Sequence, residues 1–470
     1  MTTVIDLKNV SFSYTQKYNE LNSVSLHVKA GECVVVTGPS GCGKTTLTRI
    51  LNGLIPHYFE GKLTGTVKLN GVDVTELNAW EYGKITGSVF QDARTQFFTS
   101  HVLDELAFTS ENYGIEPHQI SVNLRKSLIK NNITHLSSRE LSELSSGEKQ
   151  KVATAAIEVH QPKIYILDEP SANLDPKSCV RLLNTVKRLK KEGNTILIAD
   201  HRIEYLKDVL DFVVYLNHGE LRHTWTNHEY FKLTNETLSA FGLRPHGISI
   251  DETKVKSAHA HNMAKISLLK VSNLGISVSR KRRILQDNLN FSLDKGQILV
   301  LTGTNGVGKT TLAKTLCGLI KERNGSISVN GRKTTRRKRY KHFWFVHQDA
   351  DYQLFSDSVY REIMLGHRKN TTNFKNAEGI LTDLDLFALK ERHPATLSGG
   401  QKQRLTFAIG LMRRPDILIL DEPTSGLDAK NMAQVVKLIQ TYAHLGVAFI
   451  IISHDEVFIR CLDAAIIDLN

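Results

Sequence analysis

Short apolar runs, three to five residues long and flanked by polar or glycine-rich stretches, recur along the chain. In the first half they occupy residues 33–36, 164–167 and 195–199; in the second, 298–301, 418–420 and 448–452. They are too short for ordinary helices and rich in β-branched residues. They therefore predict strands buried on both faces, the pattern of a parallel sheet covered by helices. Segments with helical character follow 33–36 and 298–301. Two other runs end in paired carboxylates, Asp168-Glu169 and Asp421-Glu422, which places acids at the strand ends where α/β sheets bind ligands. The class predicted is α/β. Residues 226–265 break the pattern. They open with a helix-like stretch from 230 to 241, lose periodicity at Gly242-Leu-Arg-Pro-His-Gly and turn polar through 251–265, which predicts an appendage and then a flexible linker.

Between strand and helix lies the same pattern twice: Gly38-Pro-Ser-Gly-Cys-Gly-Lys44-Thr45 and Gly303-Thr-Asn-Gly-Val-Gly-Lys309-Thr310. In that context GxxxxGKT reads as a phosphate-binding loop. Backbone N–H groups and a helix N-terminus face the anion, the lysine reaches the outer phosphates, and the threonine hydroxyl ligates Mg²⁺. The candidate contacts are Gly38, Ser40, Gly41, Gly43, Lys44, Thr45 and Thr46, and their counterparts Gly303, Asn305, Gly306, Gly308, Lys309, Thr310 and Thr311. Other motifs repeat in the same order. Gln91 matches Gln348, Leu144-Ser-Ser-Gly-Glu148 matches Leu397-Ser-Gly-Gly-Gln401, Asp175 matches Asp428, and His201 matches His454; from the LSxG motif onward the offset holds at 253 residues.

Composition narrows the classes. A chain of 470 residues has room for two or three domains with sizeable cores. Its 41% hydrophobic and 23% charged content is that of a globular protein, and no apolar run reaches the roughly 18–20 residues needed to span a bilayer. The N-terminus lacks the features of a secretory signal. Five scattered cysteines without a CxxC fit reduced thiols better than disulfides or a metal site. The net charge of +12 is concentrated in residues 280–283 and 332–341. Both stretches read as a solvated strand edge or loop, so no uniformly basic surface is implied; Tyr340, Phe343 and Trp344 beside the second leave RNA contact as the alternative.

The motif series resembles the nucleotide-binding domain of ABC ATPases, present twice. The resemblance implies two tandem P-loop NTPase domains, 1–225 and 266–470, joined by 226–265. Each would have a RecA-like core, an antiparallel β-subdomain and a helical signature subdomain. It implies ATP and Mg²⁺ as cofactors, with Thr45, Gln91 and Asp168, and Thr310, Gln348 and Asp421, as the metal set. Glu169 and Glu422 would orient or deprotonate the attacking water, and His201 and His454 would sense the γ-phosphate. Ser145 and Gly147, with Ser398, Gly400 and Gln401, would form the signatures, each completing the ATP site of the other domain, with Asp175 and Asp428 crossing the same interface. Tyr14 would stack on adenine; Val278 stands at that place in domain two, beside Arg280, Arg282 and Arg283. Base stacking is worth roughly 1–3 kcal/mol.

Those substitutions fall together. The Lys309 site would combine Val278 with the altered signature, where Ser146 replaces a glycine and Glu148 adds negative charge, so the Lys44 site is expected to turn over faster. The Gln-loop stretches QDARTQFFTSHVLDEL and QDADYQLFSDSVYREI resemble those of energy-coupling factor importers. That implies an ATPase at the cytoplasmic face of the cell membrane, bound peripherally to integral membrane subunits that carry a micronutrient, with no nucleic acid partner. The alternative is a soluble tandem ATPase acting on ribosomes, a group with a longer, charged, helical linker. A DNA-repair type ATPase would need coiled coils or zinc-binding cysteines, and the sequence has neither.

Overall fold

The computed structural model describes residues 2–15, 18–90, 93–172, 174–247, 267–278 and 283–470, with no side-chain description for 93, 94, 146, 278 and 283. The chain forms two compact units, one ending at Gly247 and the other at Asn470. In unit one a six-stranded sheet runs in the order Glu220–Thr226, Phe212–Asn217, Cys33–Thr37, Thr195–Ala199, Ile164–Asp168, Thr86–Val89. All neighbours are parallel except the first pair. Unit two repeats this with five parallel strands, Phe343–Val346, Ile417–Asp421, Ala448–Ile452, Ile298–Thr302 and Ala465–Asp468. Each unit adds a four-stranded antiparallel sheet, built on Thr3–Ser13 in unit one and on Leu269–Val278 in unit two.

The period-two alternation of a strand explains the apolar runs. Val34 and Val36 enter one core with Leu47, Ile50 and the antiparallel sheet, while Cys33 and Val35 enter the other with Val186 and Leu189 of the helix Pro176–Lys191. In unit two, Val300, Leu420 and Ile451 face one core and Leu301, Ile419 and Ile450 the other. With both faces buried, no polar position interrupts the run. A third cluster of unit one joins the helices Val102–Asn112, Pro117–Lys130 and Ser146–Val159.

Two local expectations are corrected. The stretch 230–241 is not one helix. Thr226 caps Asn227–Tyr230 and Thr234 caps a second helix, Asn235–Ala240, so hydroxyls able to bond backbone N–H groups restart the chain instead of extending it. Both short helices pack on unit one through Tyr230 and Leu238, joined by Leu243 just beyond them. Nor is the basic run 332–341 simply a solvated loop. Arg339 is fully buried; its guanidinium donates to Thr315 O at 2.7 Å and to Glu322 at 2.6 Å. Arg336 donates to Gly318 O and Leu319 O, both at 2.9 Å. These arginines satisfy the carbonyls where the helix Lys309–Leu316 ends. Arg332, Lys333, Arg337, Lys338 and Lys341 are exposed, as expected.

Candidate active sites

In each unit the loop after the central strand turns on glycines. Gly38, Gly41 and Gly43 have φ of 150°, 78° and 104°, and a Cβ on Gly38 would lie 2.0 Å from Leu216 O. Only a residue without a side chain lets the loop press against the neighbouring strand and then open a helix at Lys44. The lysine is folded inward, 5% exposed, with Nζ donating to Gly38 O at 2.9 Å and Pro39 O at 3.1 Å. Lys309 does the same with Gly303 O at 2.6 Å and Thr304 O at 3.1 Å. Each loop thus holds a cation at the N-terminus of a helix, a setting that favours anions.

The paired carboxylates lie beside these loops. Thr310 Oγ1 donates to Asp421 Oδ2 at 2.9 Å. In unit one Thr48 Oγ1 donates to Asp168 Oδ2 at 3.3 Å. Burial pushes the Asp168 carboxyl up to about 6, helped by the negative charge of Glu169 and opposed by Thr48, Lys44 and Thr45. Burial raises Asp421 too, against the Thr310 hydroxyl and the charge of His347.

Glu169 and Glu422 adopt left-handed backbone, φ 45° and 49°, a strain of about 1–3 kcal/mol that clusters at functional sites. Their N–H groups are held by Ala199 O at 2.7 Å and Ile452 O at 2.9 Å. His201 Nε2 lies 3.5 Å from Glu169 and His454 Nε2 lies 3.7 Å from Glu422; His454 also meets Asn305 Oδ1 at 3.2 Å. Burial alone would raise the Glu169 carboxyl, but the bond and charge of His201, with Lys44 and Arg244, hold it below the ordinary range. The phosphate loop, both carboxylates and the histidine are therefore brought together in each unit.

Ser145 and Ser398 are the N-caps of the helices Ser146–Val159 and Gly399–Met412, each closing a capping box with the residue three along. The boxes differ. Glu148 accepts from Ser145 N at 2.8 Å and from Ser145 Oγ at 2.7 Å; these bonds outweigh its burial and keep it readily ionised. The neutral Gln401 accepts from Ser398 N at 2.9 Å. Asp175 and Asp428 cap the helices that follow, through Ser178 N and Asn431 N, both at 2.7 Å. Tyr14 packs edge-on to Phe12 and Phe59, and its hydroxyl receives Arg49 at 3.0 Å. Gln91, Asn173, Arg280 and Arg282, and the side chains of Ser146, Val278 and Arg283, lie outside the described residues.

Three features escaped the sequence reading. Thr48 reaches Asp168 from one turn into the helix, a position the motif does not mark. Arg244, 8% exposed in the appendage, adds positive charge to the surroundings of Glu169. Gln96 and Gln353 pin the loops that follow Gln91 and Gln348, and their equal spacing in QDARTQ and QDADYQ was the available signal.

The family model for ABC transporters matches residues 21–172 and 286–425. The chain belongs to the ABC transporter family of ATPases. It is 40% identical, over 99% of its length and 95% of the relative's, to an ABC transporter ATP-binding protein of Treponema denticola. It is 33% identical, over 96% of its length and 87% of the relative's, to YkoD of Bacillus subtilis, whose name describes an HMP/thiamine import ATP-binding protein. A chain in the structure of ribosome-bound archaeal Pelota and ABCE1 aligns with a TM-score of 0.67 at 21% identity, covering 98% of this chain and 76% of that one; this likeness concerns the fold alone. As an ABC ATPase the chain binds and hydrolyses ATP. None of its described helices is long and apolar enough to cross a membrane.

Proposed function

We propose that this ABC ATPase powers an importer of the energy-coupling factor type, working at the cytoplasmic face of the membrane on integral subunits that carry a vitamin, a vitamin precursor or a metal ion. The observation that carries this reading is the loop after the glutamine in each unit. Phe98 and Phe355 stand 75% and 77% exposed there, an apolar tip that a membrane partner would cover. The name of YkoD, similar over nearly the whole chain, supports the same class of cargo.

In this reading each ATP is held by one unit's phosphate loop and completed by the other unit's signature, with Tyr14 against adenine in the Lys44 site. Lys44 and Lys309 bind the outer phosphates. Glu169 and Glu422 orient and polarise water, and His201 and His454 hold the carboxylate and meet the γ-phosphate. The residues fit Mg²⁺, an ion that takes one or two protein oxygens beside substrate phosphates. Asp168 Oδ1 is buried without a hydrogen-bond partner, and Thr310 and Asp421 already lie within bonding distance. Thr45, Gln91 and Asp168, and Thr310, Gln348 and Asp421, would hold the ion, which when bound offsets charge on the β- and γ-phosphates.

The test is fractionation of cells expressing tagged chain with Glu169→Gln and Glu422→Gln. The tag is expected to follow the membranes and, after detergent extraction, to bring down a small integral membrane protein. Sedimentation with ribosomes, with no membrane association, would overturn the reading.

A further inference from the structure

The strands Thr86–Val89 and Phe343–Val346 lie at the open edges of the two core sheets, where backbone groups lack a strand neighbour. A glutamine side chain takes that neighbour's place. Gln96 Nε2 donates to Ser88 O at 2.9 Å while its Oε1 accepts from Phe90 N at 3.3 Å. Gln353 does the same with Phe345 O at 2.9 Å and His347 N at 2.8 Å. One amide thus serves residues two apart, as a paired strand does.

A buried carboxylate secures the far end of each loop. Glu105 Oε2 accepts from Phe98 N at 3.0 Å, Thr99 N at 2.9 Å and Thr99 Oγ1 at 3.0 Å. Glu362 Oε2 accepts from Phe355 N at 2.7 Å and Ser356 N at 2.5 Å. These glutamates are 5% and 1% exposed and sit in the first turns of the helices Val102–Asn112 and Val359–Met364, where the helix dipole favours negative charge. An acid so deeply buried is costly unless its bonds are made. Here most of those bonds hold the backbone of the two residues that carry, or follow, the exposed phenylalanine. Both halves of the chain, with different residues between the pins, keep the same two devices.

We propose that Glu105 and Glu362 are positioning residues. Each holds its loop as a rigid arm, so that in unit two a displacement of Gln348 at the base on nucleotide binding moves Phe355 at the tip. That the tip meets a membrane partner rests on the importer reading; the rigid arm itself does not.

Hydrogen exchange on the full chain tests it without any partner, so failure here would leave the importer reading standing. The background carries Glu169→Gln and Glu422→Gln to retain ATP and Mg²⁺. ATP is expected to change exchange at residues 354–358 as well as at Gln348. Adding Glu362→Gln, which keeps the shape and removes the charge, should speed exchange at Phe355 and Ser356 roughly tenfold and confine the ATP effect to the base of the loop. In the otherwise unsubstituted chain the same change should leave basal ATP turnover within about twofold. Glu105→Gln provides the same readout in unit one if the first variant does not fold. Unchanged exchange at 355–356, or an ATP effect that still reaches the tip after the charge is gone, would overturn the proposal. So would a loss of basal turnover as deep as that of Glu422→Gln.

Discussion

Glu169→Gln is expected to remove most of the chain's ATP turnover, and Glu422→Gln the smaller part of it. Both acids share the same strained backbone and the same histidine contact, so the difference must come from what surrounds them. In the proposed function the Lys44 site would have Tyr14 for the base and would be completed by the signature at Ser398, whose box is closed by neutral Gln401. The Lys309 site has Val278 in place of the aromatic and would be completed by the signature at Ser145. There Glu148 accepts hydrogen bonds from both the N–H and the hydroxyl of the capping serine, so the group that would meet the γ-phosphate is already bonded to an anion. Loss of stacking costs roughly 1–3 kcal/mol, and a carboxylate at a helix N-terminus that should receive a phosphate costs on the order of 1 kcal/mol more. Together they correspond to a difference of roughly thirtyfold or more between the sites. Single-turnover hydrolysis and nucleotide titration of the two single variants measure it. Equal rate losses with equal affinities would refute the asymmetry.

Asp168→Asn should abolish Mg²⁺-dependent turnover at the Lys44 site and yet stabilise the protein free of nucleotide. The carboxyl is raised from its ordinary 3.8 to about 6, chiefly by burial and then by Glu169. A carboxyl raised in the folded state takes up its proton more readily there than in the unfolded chain. Folding is therefore penalised above the folded value of about 6, and stability is regained as pH falls from there toward 3.8. At pH 7.5 the penalty is about 2–3 kcal/mol. Asparagine keeps the shape without the charge, so the melting temperature of the nucleotide-free chain should rise by roughly 5–10 °C at pH 7.5 and much less at pH 4.5. Thermal melts at the two pH values check this; a lower melting temperature at pH 7.5 would contradict it.

Much of this could be read in the sequence because its causes are local. A strand buried on both faces needs an unbroken apolar run, and a loop turning on Gly38 and Gly43 needs glycine, so the central strands and phosphate loops were visible as residue patterns. The carboxylate pairs and histidines were visible through repetition at one offset. What stayed hidden depends on tertiary contact. Arg339 looks like its exposed neighbours in the chain, and only the end of the helix Lys309–Leu316, folded above it, makes it a buried anchor. Glu105 and Glu362 look like ordinary acids in a first helical turn until the preceding loop bends over them. Arg244 reaches the surroundings of Glu169 from 75 residues downstream, a separation that no local pattern reports. The helix break between Tyr230 and Asn235 was foreshadowed by Thr234, a better cap than helix interior.

In the proposed function the two ATP sites are unequal, and each would be completed by the signature of the other unit. The most direct measurement is residual ATP turnover in a Glu422→Gln background, where only the Lys44 site is active. Adding Ser398→Arg is predicted to abolish that turnover, because it would block the signature proposed to complete the Lys44 site, whereas adding Ser145→Arg should leave it nearly intact. Loss of turnover with Ser145→Arg and retention with Ser398→Arg would contradict the pairing.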